Sequence, residues 1–455
     1  MSRTKIVVLD DDPTGSQTVH SCLLLTRWDV DTLKRALQDD APLFFVLTNT
    51  RGMDAARAAA VTREVCQNLR FALNELKVVG KGIHPIMVSR SDSTLRGHYP
   101  VETDVIAQEM GPFDAHFLIP AFFEGGRITK NGTHYLMVNG EAVPVHQTEF
   151  AQDSVFGFKH SYMPDYVEEK TKGRITAGEV RHFDLKAVRG DCLADLLALQ
   201  NNQCCVVDCV QQSDLNSFAD QIRAAATQGK RYLFRSGASL LTALAQLPPQ
   251  PVAADAMREY VRGGKPGAVI VGSHVKKTTA QLNELLKQAG VAPVEIDVSR
   301  IEQEREALLK NVVDAVSIIH QLGKTPAIFT SRVELSFPDQ QTRLKFGETV
   351  SAFLMDVVRR LPKDIGFLIS KGGITSNDVL SDGLALETSR VVGQILAGCS
   401  VVRCPEEHPR YPNLPVVIFP GNVGDEFALA TVYQRLSGEA TTQAENAAQN
   451  ASVSH

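Results

Sequence analysis

The sequence predicts an α/β fold with two domains, each a largely parallel sheet flanked by helices, and an active site in the cleft between them. Two observations support this fold class. Short apolar runs alternate with longer amphipathic segments along most of the chain, which is typical of parallel strands buried on both faces. A chain of 455 residues is also longer than one hydrophobic core usually spans.

The predicted strands are apolar runs bounded by polar, proline or glycine residues, and helix-like segments such as AARAAAVTREVCQNLRFALNEL separate them. In sheets of this kind, ligands bind beyond the carboxyl ends of the strands. The residues that follow each strand are therefore the first place to look for chemistry. The strands are, in chain order, KIVVLD, SCLLLT, PLFFVLTN, HPIMVSRS, DAHFLIPA, QCCVVDCV, RYLFRSG, GAVIVGS, PVEIDV, PAIFTS, IGFLISKG, SVVRC and PVVIFPG.

Proline- and glycine-rich stretches indicate where one domain ends and the next begins. LPPQPVAAD is rich in proline, and RGGKPG lies just before the next predicted strand, GAVIVGS. Such stretches interrupt regular structure. We therefore expect a first domain over residues 1–255 and a second over 256–437. The last residues, 438–455, are small and polar with few apolar side chains, which predicts a disordered tail.

Composition and charge exclude several classes of protein. The net charge is −5 without a basic block, so nucleic-acid binding has little support. No apolar run is long enough for a transmembrane helix, and the N-terminal apolar run is too short for a signal peptide. The eight cysteines form no CxxC pair, as expected of reduced thiols in the cytoplasm. We expect a cytoplasmic protein that binds neither membranes nor nucleic acid; a homo-oligomer is compatible with the sequence.

Polar side chains cluster where the strands of the first domain end. The first strand delivers DDDPTG, with Asp10, Asp11 and Asp12, and the third delivers Arg51. The fourth is followed by SRSDSTLRGH, whose hydroxyl, carboxylate and guanidinium groups can hold a small polar anion. A capping loop would use the same residue types, but three such ends in one sheet favour a ligand site. The candidate residues in this segment are Ser91, Asp92, Ser93, Thr94 and Arg96.

Three predicted strands of the second domain end in glycine-containing turns that precede helices. Glycines allow close approach of the backbone, and the amides at a helix start attract phosphate. None of the turns matches the Walker A pattern, yet three in one domain favour nucleotide binding. The candidate residues are Ser273, then Gly372, Gly373, Ile374 and Thr375, then Gly421.

A rival interpretation comes from the same first strand. Asp10 and Asp12 fit the hhhhDxDxT motif of haloacid-dehalogenase-type phosphatases, with Asp10 as nucleophile and Asp12 as general acid. Thr48 would occupy the hydroxyl position of that family's second motif. The interpretation lacks a later acidic pair for magnesium and leaves the three glycine turns without a role.

Several motifs, in order, resemble the four-carbon acid sugar kinase family over residues 5–436. VLDDDPTGSQ resembles its ADDxTG opening, and SDSTLRGH resembles KxDSTLRG. GTHYLMVNGEAVPVHQTEFAQD resembles its V/PLHxTxFAxD region. In the second half, GSHVKKTTAQL, KGGITSNDVL and FPGNVGDEFAL resemble SGSxSxxTxxQ, TGGETSxxV and xKSGNFG.

The resemblance implies an ATP-dependent kinase, working with Mg²⁺, that phosphorylates a hydroxyl of a tetronate, a 3-oxo-tetronate or a branched relative such as 3-oxo-isoapionate. It implies that the domain over 1–255 binds the acid and that the domain over 256–437 binds ATP. Asp11, Arg51 and the 91–96 segment would hold the acid, with Asp11 or Asp12 acting on the accepting hydroxyl, and the glycine turns would hold ATP. No metal-binding residue of the protein itself is predicted.

The sequence also departs from the family motifs. Asp10 replaces Ala, Ile374 replaces a Glu, and Phe419-Pro420 replace Lys-Ser. These departures put the identity of the acid in doubt more than the reaction. They also keep open a second alternative, a sensor that binds sugar acid and nucleotide without turnover.

Overall fold

The computed structural model describes residues 3–273, 275–332, 335, 339–421 and 423–438. Contacts between Cα atoms divide the chain into two compact units, Met1–Pro248 and Pro249–His455. The division falls within the proline-rich segment, a few residues before the expected boundary at 255. Apart from Gly438, the predicted disordered tail lies outside the described residues.

The first unit is built on a parallel sheet whose strands are mostly buried along their whole length. Eight strands pair in parallel in the order β2-β3-β1-β4-β11-β5-β10-β9. A separate antiparallel sheet has the order β6-β7-β8. The strands are β1 (Arg3–Asp10), β2 (Leu23–Leu25), β3 (Leu43–Leu47), β4 (Ile83–Arg90), β5 (Ala115–Ile119), β6 (Arg127–Lys130), β7 (Thr133–Val138), β8 (Glu141–Pro144), β9 (Arg181–Phe183), β10 (Gln203–Val207) and β11 (Tyr232–Ser236).

The helices of the first unit connect successive parallel strands, and side-chain caps define several of their starts. Asp29 accepts a hydrogen bond from the Thr32 amide, and Asp54 accepts one from the Arg57 amide, which satisfies donors that a helix start leaves unpaired. The helices are α1 (Val30–Gln38), α2 (Ala55–Val78), α3 (Val101–Met110), α4 (Met163–Thr171), α5 (Leu185–Arg189), α6 (Leu193–Ala198), α7 (Gln212–Thr227) and α8 (Ser239–Ala245).

The second unit has a mixed sheet in the order β13-β14-β12-β15-β18-β17-β16. Its first five strands are parallel, and β17 runs antiparallel to both β18 and β16. The strands are β12 (Ala268–Val271), β13 (Val291–Ile296), β14 (Thr325–Thr330), β15 (Leu368–Lys371), β16 (Thr388–Leu396), β17 (Cys399–Arg403) and β18 (Pro415–Phe419). The helices are α9 (Lys276–Leu285), α10 (Ile301–Gln321), α11 (Gln340–Arg359), α12 (Gly373–Asp378) and α13 (Ala428–Ser437).

The large, mostly parallel sheet of each unit, flanked by helices, confirms the predicted α/β class. Each predicted strand overlaps an observed one, and all eight cysteines are buried outside any disulfide. Within the described residues, no helix combines the length and the apolar character that crossing a membrane would require.

Aromatic packing forms part of the core of the first unit. Phe117 on β5 is fully buried, and its ring centroid lies 5.4–6.0 Å from those of four other aromatic side chains. Such contacts bury large apolar areas and add favourable ring–ring geometry. The four neighbours are Phe183, Phe218, Tyr232 and Phe234.

Replacing this central ring tests the packing. Phe117→Ala is expected to lower the free energy of unfolding by about 3–5 kcal/mol, because it removes a buried ring and leaves a cavity. Phe71→Ala is the matched control, since Phe71 is 58% exposed on α2, and it should change that free energy by less than about 0.5 kcal/mol. Urea unfolding measures both; equal losses would contradict the assignment of Phe117 to the core.

Candidate functional site

The predicted ligand segments of the first unit meet at one edge of its sheet. Asp10 at the end of β1 is in register with Leu47 of β3 and with Arg90 of β4, and Arg90 is in register with Ser236 of β11. Parallel strands end at the same edge, so the residues that follow them become neighbours. DDDPTG, the Arg51 turn and SRSDSTLRGH are therefore brought together.

Asp11 is the centre of this cluster. Its carboxylate is almost fully buried, with the residue 1% exposed. Arg51 Nη2 donates to Oδ1 at 2.5 Å, and Ser91 Oγ donates to Oδ2 at 2.5 Å. The Arg51 amide also donates to the Asp11 carbonyl at 3.1 Å. A buried carboxylate is stable only when it is paired and hydrogen-bonded, and Asp11 meets both conditions.

A second ion pair, which the sequence analysis missed, supports the first. Arg235 on β11 donates from Nη2 to Ser91 Oγ at 2.7 Å and from Nη1 to Glu102 Oε2 at 2.6 Å. Thr50 donates to the other Glu102 oxygen at 2.5 Å. Arg235 and Glu102 are both buried, so each supplies the counter-charge that the other needs. An arginine inside the apolar strand RYLFRSG was the only sequence signal.

Asp12 is the more accessible carboxylate, with its side chain 21% exposed. It accepts hydrogen bonds from the Thr14 amide and hydroxyl, and Arg51 Nη1 lies 3.3 Å from Oδ2. Burial alone would raise the pKa of Asp12, but Arg51 and the two Thr14 hydrogen bonds outweigh it and lower the pKa. Asp12 is therefore ionised at neutral pH.

The turn after β4 is held by its own side chains and by the small sheet. Asp92 accepts hydrogen bonds from Arg96 Nε, at 2.6 Å, and from the Thr94 hydroxyl. Although burial opposes it, the positive charges of Arg51 and Arg96 lower the pKa of Asp92. The Ser93 carbonyl accepts a 2.7 Å hydrogen bond from Nε2 of His134, a buried residue of β7.

Glycine at position 97 is required by this arrangement. Its φ of +125° is one that side chains rarely allow. A Cβ there would lie 2.7 Å from Arg235 Nη2 and 2.9 Å from Asp11 Oδ2, and closer still to Ser91 Oγ. The backbone therefore passes directly over the buried network, with no room for a side chain between them.

Asp10 has a different environment from its two neighbours. It is fully buried, and neither carboxylate oxygen has a hydrogen-bond partner. A Cβ at Gly15 would collide with this carboxylate. Burial raises the pKa of Asp10 to about 8, although Arg90 partly offsets it. A neutral, enclosed carboxyl is poorly suited to act as the nucleophile that the phosphatase interpretation requires.

Two further arginines beside this cluster keep free donor capacity. Arg90 is 3% exposed, its Nε has no hydrogen-bond partner, and no described carboxylate lies within 4 Å of it. Nε of Arg127 is likewise buried without a partner. Unpaired guanidinium donors suit a carboxylate ligand. A small pocket adjoins the network, and its lining includes Ser91, Asp92, Arg96, Tyr99, Tyr166 and Arg235.

The three predicted glycine turns of the second unit are also neighbours. Val271, Lys371 and Phe419 are in register at the ends of β12, β15 and β18. The Gly372 amide donates to the Phe419 carbonyl at 2.8 Å. A Cβ at Gly372, whose φ is +119°, would lie 3.2 Å from Thr375 Oγ1. The turns after β12, β15 and β18 thus pack against one another.

The predicted ATP-binding residues differ in exposure. Thr375 is 9% exposed, whereas Ile374 is 74% exposed at the start of α12, where the family motif has Glu. Ser273 accepts a 2.7 Å hydrogen bond at its carbonyl from Arg332 Nη1. Gly373 is the first residue of α12. A Cβ at Gly421 would meet no atom within 4 Å, so this backbone position borders open space.

The described residues include no group of three or more His, Cys, Asp or Glu side chains placed to hold a metal ion. Carboxylates near the first cluster are instead engaged by arginines: Asp11 and Asp12 by Arg51, Asp92 by Arg96, and Glu102 by Arg235.

Comparison with known proteins identifies both units. Residues 6–244 match the family model of a sugar-binding N-terminal domain, and residues 268–429 match that of a nucleotide-binding C-terminal domain. A D-erythronate kinase of Heliobacterium modesticaldum is 23% identical over 399 residues, which are 81% of this chain and 83% of the relative. A D-threonate kinase of Bordetella bronchiseptica is 30% identical over 167 residues, 35% and 38% of the two chains.

Two solved structures share the fold. A Salmonella typhimurium LT2 protein, provisionally described as a tRNA synthase, has a TM-score of 0.69 at 19% identity, covering 95% of this chain and 98% of that protein. A Haemophilus influenzae protein of the DUF1537 family has a TM-score of 0.64 at 18% identity, covering 94% and 100%.

The raised pKa of Asp10 predicts that the free energy of unfolding depends on pH. Its pKa is about 8 in the folded chain, against an ordinary value of 3.8, so the folded state retains a proton that the unfolded state loses. Between these values, rising pH should lower the free energy of unfolding by up to about 1.4 kcal/mol per pH unit. Asp10→Asn removes this dependence and should be the more stable variant at pH 8.

Urea unfolding from pH 5 to pH 9 measures the effect, with Asp40→Asn, a change at an exposed carboxylate, as the control. Parallel stability–pH curves for the wild type and Asp10→Asn would show that Asp10 is ionised in the folded protein.

Proposed function

Because the chain belongs to the four-carbon acid sugar kinase family, we propose that it transfers the terminal phosphoryl group of ATP to a hydroxyl of a small sugar acid. The observation that carries the proposal is the buried Asp11–Arg51 pair beside Arg90, an arginine with no described carboxylate partner. The matched families are named for sugar binding and nucleotide binding, and the named relatives are kinases of D-erythronate and D-threonate.

The first unit is proposed to bind the acid at the 91–97 turn. Arg90 supplies an unpaired donor for the carboxylate, and so does Arg127, which is close enough to Asp92 for their charges to interact. Ser93, Thr94 and Asp92 offer groups for the hydroxyls of the acid. A C4 tetronate, its 3-oxo form or a branched relative such as 3-oxo-isoapionate presents both kinds of group.

Asp11 and Asp12 are proposed to have different roles at the accepting hydroxyl. Asp11 is enclosed by Arg51 and Ser91, so it fixes the position of the guanidinium. Asp12 is the more accessible of the two and stays ionised. A carboxylate with a lowered pKa is a weak proton acceptor, so Asp12 serves mainly to orient the hydroxyl by accepting its hydrogen bond.

ATP is proposed to lie at the turns that contain Ser273, Gly372–Thr375 and Gly421. Backbone amides in such turns hold phosphate oxygens. Mg²⁺ commonly reaches kinase sites bound to the phosphates, with one or two protein carboxylates completing its shell. When bound, the ion would neutralise charge on the phosphates. The predicted location of the site between the two units stays a prediction.

The phosphatase alternative requires Asp10 to attack a phosphate, and its buried, unpartnered carboxyl argues against that role. The sensor alternative predicts that the protein binds sugar acid and nucleotide but forms no product. ADP release, measured over a panel of erythronate, threonate, their 3-oxo forms and branched C5 acids, separates the three. ATP-dependent product with one acid supports the kinase, phosphate release from a sugar phosphate without ATP supports the phosphatase, and binding without product supports the sensor.

Asp11→Asn tests the acceptor site. It should lower kcat by about 10²-fold or more, because Arg51 loses the counter-charge that fixes its guanidinium beside Asp12, the residue proposed to orient the hydroxyl. Circular dichroism checks that the fold is retained, and Asp255→Asn, at an exposed position, is the control. Near-normal turnover in Asp11→Asn would remove Asp11 from the site.

Gly421→Ala tests the nucleotide site. A Cβ at this position meets no atom within 4 Å, so the thermal unfolding midpoint should not fall. We expect the Kd of ATP to rise about tenfold, or about 1.4 kcal/mol, because the methyl group occupies the space proposed for phosphate. Gly347→Ala on α11 also adds a methyl into open space and is the control. An unchanged Kd for Gly421→Ala would place ATP elsewhere.

A further inference from the structure

Lys371, the last residue of β15, is a buried cation without an anionic partner. It is fully buried, and no carboxylate lies within 4 Å of its ammonium in the described part of the chain. Lysines are almost never fully buried unless they are paired. The pKa of Lys371 is lowered to about 7, mainly by burial; Cys399 opposes this shift, and the nearby charge of Lys277 contributes to it.

The ammonium group of Lys371 binds the backbone of the glycine turn after β18. Nζ donates to the Pro420 carbonyl at 2.6 Å and to the Gly421 carbonyl at 3.1 Å. It lies 4.3 Å from the centroid of the Phe419 ring, over its face, an arrangement that favours a cation. Its contacts are therefore directed at one feature, the turn that begins at Pro420.

These contacts determine which way the turn presents its amides. In a planar trans peptide the N–H points opposite to the C=O. The Pro420 carbonyl points at Lys371, so the Gly421 N–H of the same peptide points away from it. A Cβ at Gly421 would meet no atom within 4 Å, so there is room for a ligand beside this residue, and turns that present backbone N–H groups bind phosphate.

We propose that Lys371 is a positioning residue of the nucleotide site, which turns the Gly421 amide toward an ATP phosphate and contributes positive charge behind it. The inference rests on the proposed function. It also bears on one departure from the family motifs, the replacement of Lys-Ser by Phe419-Pro420. Lys371 is in register with Phe419 on the neighbouring strand, and position 419 is where the resembling motif xKSGNFG has its lysine, while TGGET has Thr at the position of Lys371. The ammonium group is therefore retained at this turn but comes from the adjacent strand.

The test measures binding of a non-hydrolysable ATP analogue by isothermal titration, together with the thermal unfolding midpoint, kcat and KM. Lys371→Met should raise the Kd of the analogue and the KM for ATP about tenfold or more, without lowering the unfolding midpoint, because methionine fills the buried space without a charge. At saturating ATP, kcat should fall less than KM rises.

Two further variants separate positioning from packing. Lys5→Met is the matched control, since Lys5 is also fully buried and its Nζ also donates to two carbonyls, those of Asp39 and Ala41; it should not change the Kd. Lys371→Thr combined with Phe419→Lys moves the ammonium to the facing strand and should regain part of the affinity that Lys371→Thr alone loses.

The outcomes distinguish the inference from the proposed function. If the wild type binds no ATP analogue at millimolar concentration, the proposed function fails, and the inference fails with it. If the wild type binds and Lys371→Met binds equally well, only the inference is overturned. Loss of affinity that merely follows a lower unfolding midpoint, or a double variant that regains none, would also overturn it.

Discussion

Neutralisation of the buried Asp11 carboxylate is the constraint on which the first unit depends. A charge removed from water is tolerated only where opposite charge and hydrogen bonds replace the lost solvation. Arg51 and Ser91 supply them, and they come from the ends of two strands on either side of β1. Ser91 in turn accepts a hydrogen bond from Arg235, and Glu102 supplies the carboxylate that balances the buried charge of Arg235. The order of strands in the sheet and the positions of the charges are thus fixed together.

The two units treat buried charge in different ways, and the difference matches the ligands proposed for them. In the first unit, most of the arginines at the cluster are paired with carboxylates, so the proposed monoanionic sugar acid would meet only the unpaired guanidinium donors of Arg90 and Arg127. In the second unit, Lys371 is held by carbonyl dipoles and an aromatic face instead of by a carboxylate. The proposed triphosphate, a strongly anionic group, would favour the charged form of this lysine.

The sequence allowed the α/β class, most strands and the main clusters to be predicted, because apolar runs mark buried strands and parallel strands end at one edge. β16 was missed, since Gly393 with φ of +146° and two register shifts interrupt its pattern. The individual strands β6–β8 were not predicted, because short, half-exposed strands lack a clear alternation of apolar and polar residues. Arg235 and Glu102 were missed because each becomes informative only beside the other. Which of three adjacent aspartates is paired depends on the reach of Arg51, which local sequence does not encode.

The hydrogen bond between His134 and the Ser93 carbonyl has a consequence for how the 91–97 turn responds to pH. Burial lowers the pKa of His134 to about 4, so its imidazole is neutral throughout the physiological range. Nε2 then carries the proton it donates to Ser93, while Nδ1 accepts from the Thr129 hydroxyl, 2.9 Å away. Histidine often acts as a pH sensor, but here it is a pH-independent support. The small antiparallel sheet therefore contacts the 91–97 turn through a histidine that keeps its neutral form at mildly acidic pH, where exposed histidines become charged.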